Sequence, residues 1–183
     1  FKQDDPTPEF INFRVGYNSN KKRLSTSGFY SMVNPIQMNL EFMDLFAKAT
    51  ATCKRNFNNL FVPFRCVASD VTNKRAMILS NGDLGDAVRA SMSFPVVFKP
   101  IKINGVMAFD GGIYDNFPVD VMRHDFHPDI MLGSVVAEDY TETLGTDLIS
   151  QLESLVMQKT IYNIADSDGI VLKIHITDAG LMD

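Results

Sequence analysis

The chain has 183 residues, enough for a domain with a real core, and its 45% hydrophobic and 21% charged residues are a globular rather than a disordered balance. A net charge of −5 speaks against broad nucleic-acid binding, which calls for a basic surplus. No run of about 18 apolar residues reads as a membrane-spanning helix.

Residues 1–34 are polar and rich in turn formers, from Pro6 and Pro8 through Gly16, Asn18 and Asn20 to Ser25-Thr26-Ser27-Gly28, with a short strand expected around 11–15. Lys21-Lys22-Arg23 reads as a solvated loop, as short charge runs usually are. A helix is predicted to begin near Asn34-Pro35, where Asn caps and Pro suits the first turn. Ile36, Leu40, Met43, Phe46 and Ala47 then recur at helical spacing to about Lys54. Residues 61–69 predict a buried strand and 75–79 a second, with 70–73 turning between them. Cys53 and Cys66 sit among apolar residues and read as small core side chains rather than a disulfide framework. Asp83 is placed to cap a short helix over 84–92, with Asp86 three residues on, and Pro95 stops it. Strands at 97–103 and 106–109 flank Asn104-Gly105, a two-residue hairpin signal because both positions need positive φ. Pro118 opens a helix to about Arg123. Residues 130–137 are nearly all apolar, as a strand covered on both faces would be. Leu148, Leu152, Leu155, Val156 and Ile161 predict a long amphipathic helix, and 170–176 a last strand. Helices alternating with buried strands predict a layered α/β domain, and no internal repeat, low-complexity stretch or linker divides it.

Asp110 closes a predicted strand and precedes Gly111 and Gly112. Two glycines allow backbone conformations that side chains forbid and let another group approach closely. Strand ends are where open α/β folds place their sites. On spacing alone Asp110 reads equally as a site carboxylate and as a cap on a turn.

The run Gly82-Asp83-Leu84-Gly85-Asp86-Ala87-Val88-Arg89-Ala90-Ser91-Met92-Ser93-Phe94-Pro95-Val96-Val97-Phe98-Lys99-Pro100-Ile101 resembles the patatin-like phospholipase family. So does Phe109-Asp110-Gly111-Gly112-Ile113-Tyr114-Asp115-Asn116-Phe117-Pro118-Val119-Asp120. The family shows a helix ending in Ala-Ser, then a Pro, a Phe-x-Pro, and a strand running into Asp-Gly-Gly or Asp-Gly-Ala and an Asn-x-Pro. Ala68-Ser69-Asp70 also resembles the family's small-residue-then-Asp turn. The resemblance is good over 58–137, continues into 138–183, and has no motif to place 1–57. It implies one partial patatin-like domain over 1–183, a three-layer α/β/α sandwich incomplete on its N-terminal side.

The resemblance further implies a lipid acyl hydrolase, a phospholipase or esterase, working through a serine–aspartate dyad with no cofactor, no metal and no histidine. Asp110 corresponds to the dyad carboxylate. Gly111, Gly112, Asn116, Ser91 and Pro95 would shape the site, Asn116 by fixing the loop after the glycines through side-chain-to-backbone bonds. Phe94, Val97 and Phe98, with Val96 beside them, read equally as an acyl-chain groove and as ordinary core. Ser91 and Ser93 follow a helix rather than a strand-turn elbow, so packing and hydrogen bonding are expected of them.

The nucleophile is missing. No Gly-x-Ser-x-Gly occurs: Leu24-Ser25-Thr26-Ser27-Gly28 lacks the first glycine, and Gly133-Ser134-Val135 falls inside a predicted strand. No glycine-rich oxyanion loop precedes Asp110 either. The chain opens on Phe1 without a signal peptide, and the expectation is a segment of a longer parent whose earlier part carries the serine. Its partners would then be a lipid or other acyl ester, a membrane touched peripherally and, with strand edges uncovered, further copies of itself, but not nucleic acid. Two other readings stand beside this one: a non-catalytic binding module of the same fold, and a metal site at His124 and His127, for which a loop at a helix end is the plainer account.

Overall fold

The computed structural model describes residues 15–18, 23–26, 34–95, 97–135, 156 and 160–174. The chain forms two compact units, Phe1–Gly112 and Ile113–Asp183. Among the described residues no helix is long and apolar enough to cross a membrane.

In the first unit, β1 (Val15–Asn18) and β2 (Arg23–Thr26) make an antiparallel hairpin. Residues 11–14 of the strand expected there lie outside the described residues. Helix α1 (Ile36–Thr52) starts at the predicted place, and the Asn34 side chain accepts the Ile36 N–H at 3.2 Å. Its inward face differs from the predicted stripe. Ile36, Leu40, Met43 and Ala47 are exposed, whereas Met38, Phe42, Phe46 and Ala49 are half-buried and Thr50 is buried. The partner helix sets that phase: α2 (Leu84–Ser91) crosses α1 at Gly85, where an added Cβ would lie 3.1 Å from the Phe42 carbonyl oxygen. Asp83 caps α2 as predicted, accepting the Asp86 N–H at 3.2 Å.

Strands β3 (Cys66–Asp70), β4 (Arg75–Leu79), β5 (Ile101–Ile103) and β6 (Val106–Asp110) form one antiparallel sheet in the order β4-β3-β6-β5. Two strands are shorter than predicted, each for a proline. Phe61 is fully exposed and the strand opens only at Cys66, because Pro63 has no ladder donor and the Phe64 N–H turns back to the Phe57 carbonyl at 3.3 Å. Residues 97–100 are likewise not strand: the Phe98 N–H closes a turn onto the Phe94 carbonyl at 2.9 Å, and Pro100 precedes β5. Between β5 and β6, Asn104 (φ 49°) and Gly105 (φ 87°) make the expected hairpin turn.

Helix α2 lies over β3, β5 and β6. The core between helices and sheet is Cys53, Phe57, Ala68, Leu79, Leu84, Ala87, Ala90 and Ala108. Half of these are alanines, so helix and sheet approach closely and Phe57, fully buried, supplies most of the bulk. Both cysteines are unpaired, Cys53 buried and Cys66 half-buried, and burial pushes the Cys66 thiol up to about 12, which leaves it inert as a nucleophile at neutral pH.

In the second unit, α3 (Val119–Phe126) runs three residues past the predicted Arg123. Strand β7 (Met131–Val135) pairs in parallel with β8 (Gly169–Lys173). The expectation that β7 is covered on both faces fails among the described residues: Met131, Gly133 and Val135 are buried, while Leu132 and Ser134 are exposed. Phe117 and Ile164 cover the buried face so tightly that a Cβ on Gly133 would meet Phe117 at 2.5 Å and Ile164 at 3.3 Å. Of the predicted helix over 148–161, Val156 is helical and Thr160 and Ile161 are not; most of the rest lies outside the described residues, as do 175 and 176 of the last strand.

Candidate active site

Asp110 is the last residue of β6 and is half-buried. Its N–H donates to the Ser93 carbonyl at 3.0 Å, so the loop after α2 holds the strand end from one side. On the other side Asp110 pairs with Ala68 of β3. Its Oδ1 accepts the Gly112 N–H at 2.8 Å, which closes the single 3₁₀ turn Gly111–Ile113. The turn-capping role is therefore present.

Gly111 is needed for space. A Cβ there would sit 2.4 Å from the Val67 carbonyl oxygen and 2.7 Å from the Val67 carbonyl carbon. Backbone on backbone cannot rotate away. The glycine lets the chain leave β6 directly over β3, and the buried Ser69 hydroxyl donates to the Gly111 carbonyl at 3.5 Å.

Asp70, one residue on, anchors the far end of β3. It is fully buried and accepts the Asn73 N–H at 3.0 Å, the Asn73 side-chain amide at 2.6 Å and Arg75 Nε at 3.4 Å. The Asn73 side chain and backbone, with a smaller part from Arg75, hold the carboxyl below the usual carboxylate range against burial, which pushes it up. The unfolded chain therefore binds its proton at a higher pH than the folded one does. The stabilisation is full above the unfolded value of about 4 and is lost as pH falls through the depressed folded value. Expected accordingly is a destabilisation by Asp70→Asn that is greatest near neutral pH and shrinks steadily below about pH 4, read from thermal midpoints against pH. A difference that does not change with pH would mean that the buried charge contributes nothing.

The loop after α2 carries the other proposed site residues of this unit. Ser91 ends α2, is half-buried, and makes no side-chain hydrogen bond among the described residues. Ser93 is the bonding serine: fully buried, its hydroxyl donates to the Arg89 carbonyl at 2.6 Å and accepts from Arg89 Nη1. Phe94, Pro95, Val97 and Phe98 are half-buried, with Phe98 beneath the Arg89 guanidinium at 4.9 Å. Arg89 received no role from the sequence. Its signal was a charged residue four before Ser93 on an otherwise small-residue stretch of helix. A small cavity in this unit, of about 90 Å³, lies at the Asn104 end of β6, opposite Asp110, between Arg55, Asp83, Asp86 and Lys102.

Asn116 belongs to the second unit. Its side chain donates to the Tyr162 hydroxyl at 2.8 Å, and the backbone bond expected of it is made by Asp115, whose Oδ1 accepts the Phe117 N–H at 3.2 Å. Burial first, and Asp120 after it, push the Asp115 carboxyl up despite that bond. His127 is the left-handed residue that ends α3, its N–H bonded to the Arg123 carbonyl at 3.2 Å, and His124 Nδ1 lies 3.3 Å from Asp125 Oδ1. Both fit the helix-end reading.

The model of the patatin-like phospholipase family matches residues 11–123, more than half of the chain, and the chain belongs to that family. Its α/β fold is accordingly patatin-like. The match reaches back through most of 1–57, where no motif was legible. A lysophospholipase of Candida albicans is 35% identical over 65 residues, 36% of this chain and 5% of that protein. A lysophospholipase of Lodderomyces elongisporus is 34% identical over 95 residues, 48% of this chain and 6% of that protein. A patatin-like phospholipase domain-containing protein of Caenorhabditis elegans is 29% identical over 96 residues, 51% of this chain and 7% of that protein. The match thus spans a small fraction of the length of these relatives.

Proposed function

We propose that this chain is the carboxylate-bearing part of a lipid acyl hydrolase that cleaves a phospholipid or lysophospholipid ester through a serine–aspartate dyad, with Asp110 as the general base. The observation that carries this reading is the Asp110-Gly111-Gly112 strand end, held by Ser93 on one side and β3 on the other, in a chain of the patatin-like phospholipase family. The serine comes from sequence outside these 183 residues. Asp110 takes the serine Oγ proton as the oxygen bonds to the ester carbonyl carbon, and the tetrahedral intermediate collapses. The alcohol leaves with that proton; Asp110 then takes a proton from water as the water oxygen bonds to the acyl carbon, and returns it to the serine Oγ as the acyl–Oγ bond breaks and the fatty acid is released. Gly111 and Gly112 keep the approach to the carboxylate open, and Phe94, Val97 and Phe98 offer an apolar wall to the acyl chain. Ester lipids of this class sit in membranes and micelles, so turnover includes peripheral contact with a lipid surface.

A second reading, a patatin-fold module that binds without cleaving, is favoured by one fact: none of the 183 residues forms a Gly-x-Ser-x-Gly. A fluorophosphonate probe separates the two. The proposal expects stoichiometric serine labelling of a protein that joins this segment to such a motif, and neither labelling nor chromogenic-ester turnover by the 183-residue chain. Robust labelling or turnover by the chain itself overturns it. A natural full-length sequence without the motif would favour the binding module. The exposed Ile36, Leu40 and Met43 on α1 also give the isolated chain a surface for self-association, which light scattering would read as a mass above one chain.

A further inference from the structure

Arg89 is 3% exposed, and no carboxylate among the described residues pairs with it. Taking a guanidinium out of water without a counter-charge is costly, and an apolar side chain would fill the same space at less expense. What the guanidinium does that an apolar residue cannot is bond several segments at once. Its Nε donates to Asn39 Oδ1 on α1 at 3.1 Å, its Nη1 to the Ser93 hydroxyl, and its Nη2 to the Lys99 carbonyl at 3.2 Å, while its face lies 4.9 Å from the centre of the Phe98 ring. Ser93 returns a bond from its hydroxyl to the Arg89 carbonyl at 2.6 Å. The free end of this device is the Ser93 carbonyl, which accepts the Asp110 N–H at 3.0 Å.

Resting on the dyad reading above, we propose that Arg89 is a positioning residue for Asp110: it locks Ser93, and Ser93 holds the backbone from which the carboxylate projects. Arg89 itself need not touch substrate. The same clamp ties Ser93, Phe98 and Lys99 to α2, so the apolar wall and the carboxylate are held by one group. A shape-filling role would make Arg89 replaceable by methionine. A positioning role makes the hydroxyl of Ser93 and the fork of Arg89 both necessary, because each is one link between α2 and Asp110.

The test reads Asp110 directly, apart from catalysis, through amide hydrogen exchange of the 183-residue chain. In Arg89→Met and in the milder Ser93→Ala, the Asp110 amide is expected to exchange about tenfold faster, the effect of one lost hydrogen bond, while the Ala68 and Ala108 amides inside the sheet change by less than about twofold. Equal acceleration of all three amides, or no change at Asp110 in the folded Ser93→Ala variant, overturns the proposal. Arg89→Lys keeps the charge but not the three-way fork and is expected to behave like Arg89→Met; full protection in Arg89→Lys would equally overturn it. In the serine-bearing protein the same variants are expected to lower kcat about tenfold, with KM for a short-chain ester within about twofold. A raised KM at unchanged kcat would assign Arg89 to the apolar wall instead. If Asp110→Asn leaves turnover intact, the dyad reading fails while the exchange result still stands or falls alone.

Discussion

Asp110→Asn, made in a protein that joins this segment to a Gly-x-Ser-x-Gly motif, is expected under the proposed dyad to lower ester turnover by about 10²–10⁴-fold, the range that a positioned general base contributes. The substitution is well matched to the question. Asparagine keeps an oxygen where Asp110 Oδ1 accepts the Gly112 N–H at 2.8 Å, so the turn stays closed. The backbone bond from residue 110 to the Ser93 carbonyl does not involve the side chain at all. What asparagine loses is the ability to take a proton from a hydroxyl. The thermal midpoint should therefore stay close to that of the unsubstituted protein while kcat collapses. A fully active Asp110→Asn protein would mean that the turn-capping role is the whole of what Asp110 does, and the binding-module reading would take its place.

Gly111→Ala is expected to act through folding, and its size follows from what the methyl meets. The Val67 carbonyl oxygen lies 2.4 Å from the Cβ position, inside a sheet whose register is set by the β3–β6 pairing. Relief requires β3 and β6 to part, which strains Ser69, Asp70 and the core beneath. The cost is at or above the ~1–3 kcal/mol of ordinary overpacking, or a fall in thermal midpoint on the order of 10 °C for a unit of this size. Gly105→Ala supplies the comparison. Its Cβ meets nothing within 4 Å, so only its positive φ, 87°, is penalised, by about 1–2 kcal/mol. Equal midpoints for the two variants would show that the sheet gives way at Gly111 without cost.

What was legible in the sequence was mostly what short-range chemistry decides. Asp83 caps α2 because a carboxylate three residues ahead of an N–H needs nothing from the rest of the fold. Asn104-Gly105 turns because the two residues themselves prefer positive φ. The phase of α1 was not legible: Ile36, Leu40 and Met43 are as regular a stripe as Met38, Phe42 and Phe46, and the choice falls to Gly85 of α2, which admits the α1 backbone. The starts of β3 and β5 fall later than the apolar runs suggest, because Pro63 and Pro100 lack the N–H that a ladder needs whatever the hydrophobicity around them. At the candidate site, Asp110 and its glycines were readable as a motif. The clamp of Arg89 and Ser93 was not, because a buried cation held by a hydroxyl and a backbone carbonyl is a tertiary arrangement that no local pattern announces.

The demands on neighbouring positions of Asp110-Gly111-Gly112 are separable, and this bears on how the motif would decay. Residue 111 answers to the Val67 carbonyl, a requirement of packing that persists whether or not an ester is ever cleaved. Residue 110 supplies an oxygen to the Gly112 N–H, which the turn needs, and under the proposed dyad it is also the proton acceptor. A lineage released from selection for hydrolysis should thus drift first from aspartate to asparagine or serine at 110, with glycine at 111 held in place. In relatives of this chain, Gly-Gly after a strand would then date the fold, and only the residue before it would report the chemistry.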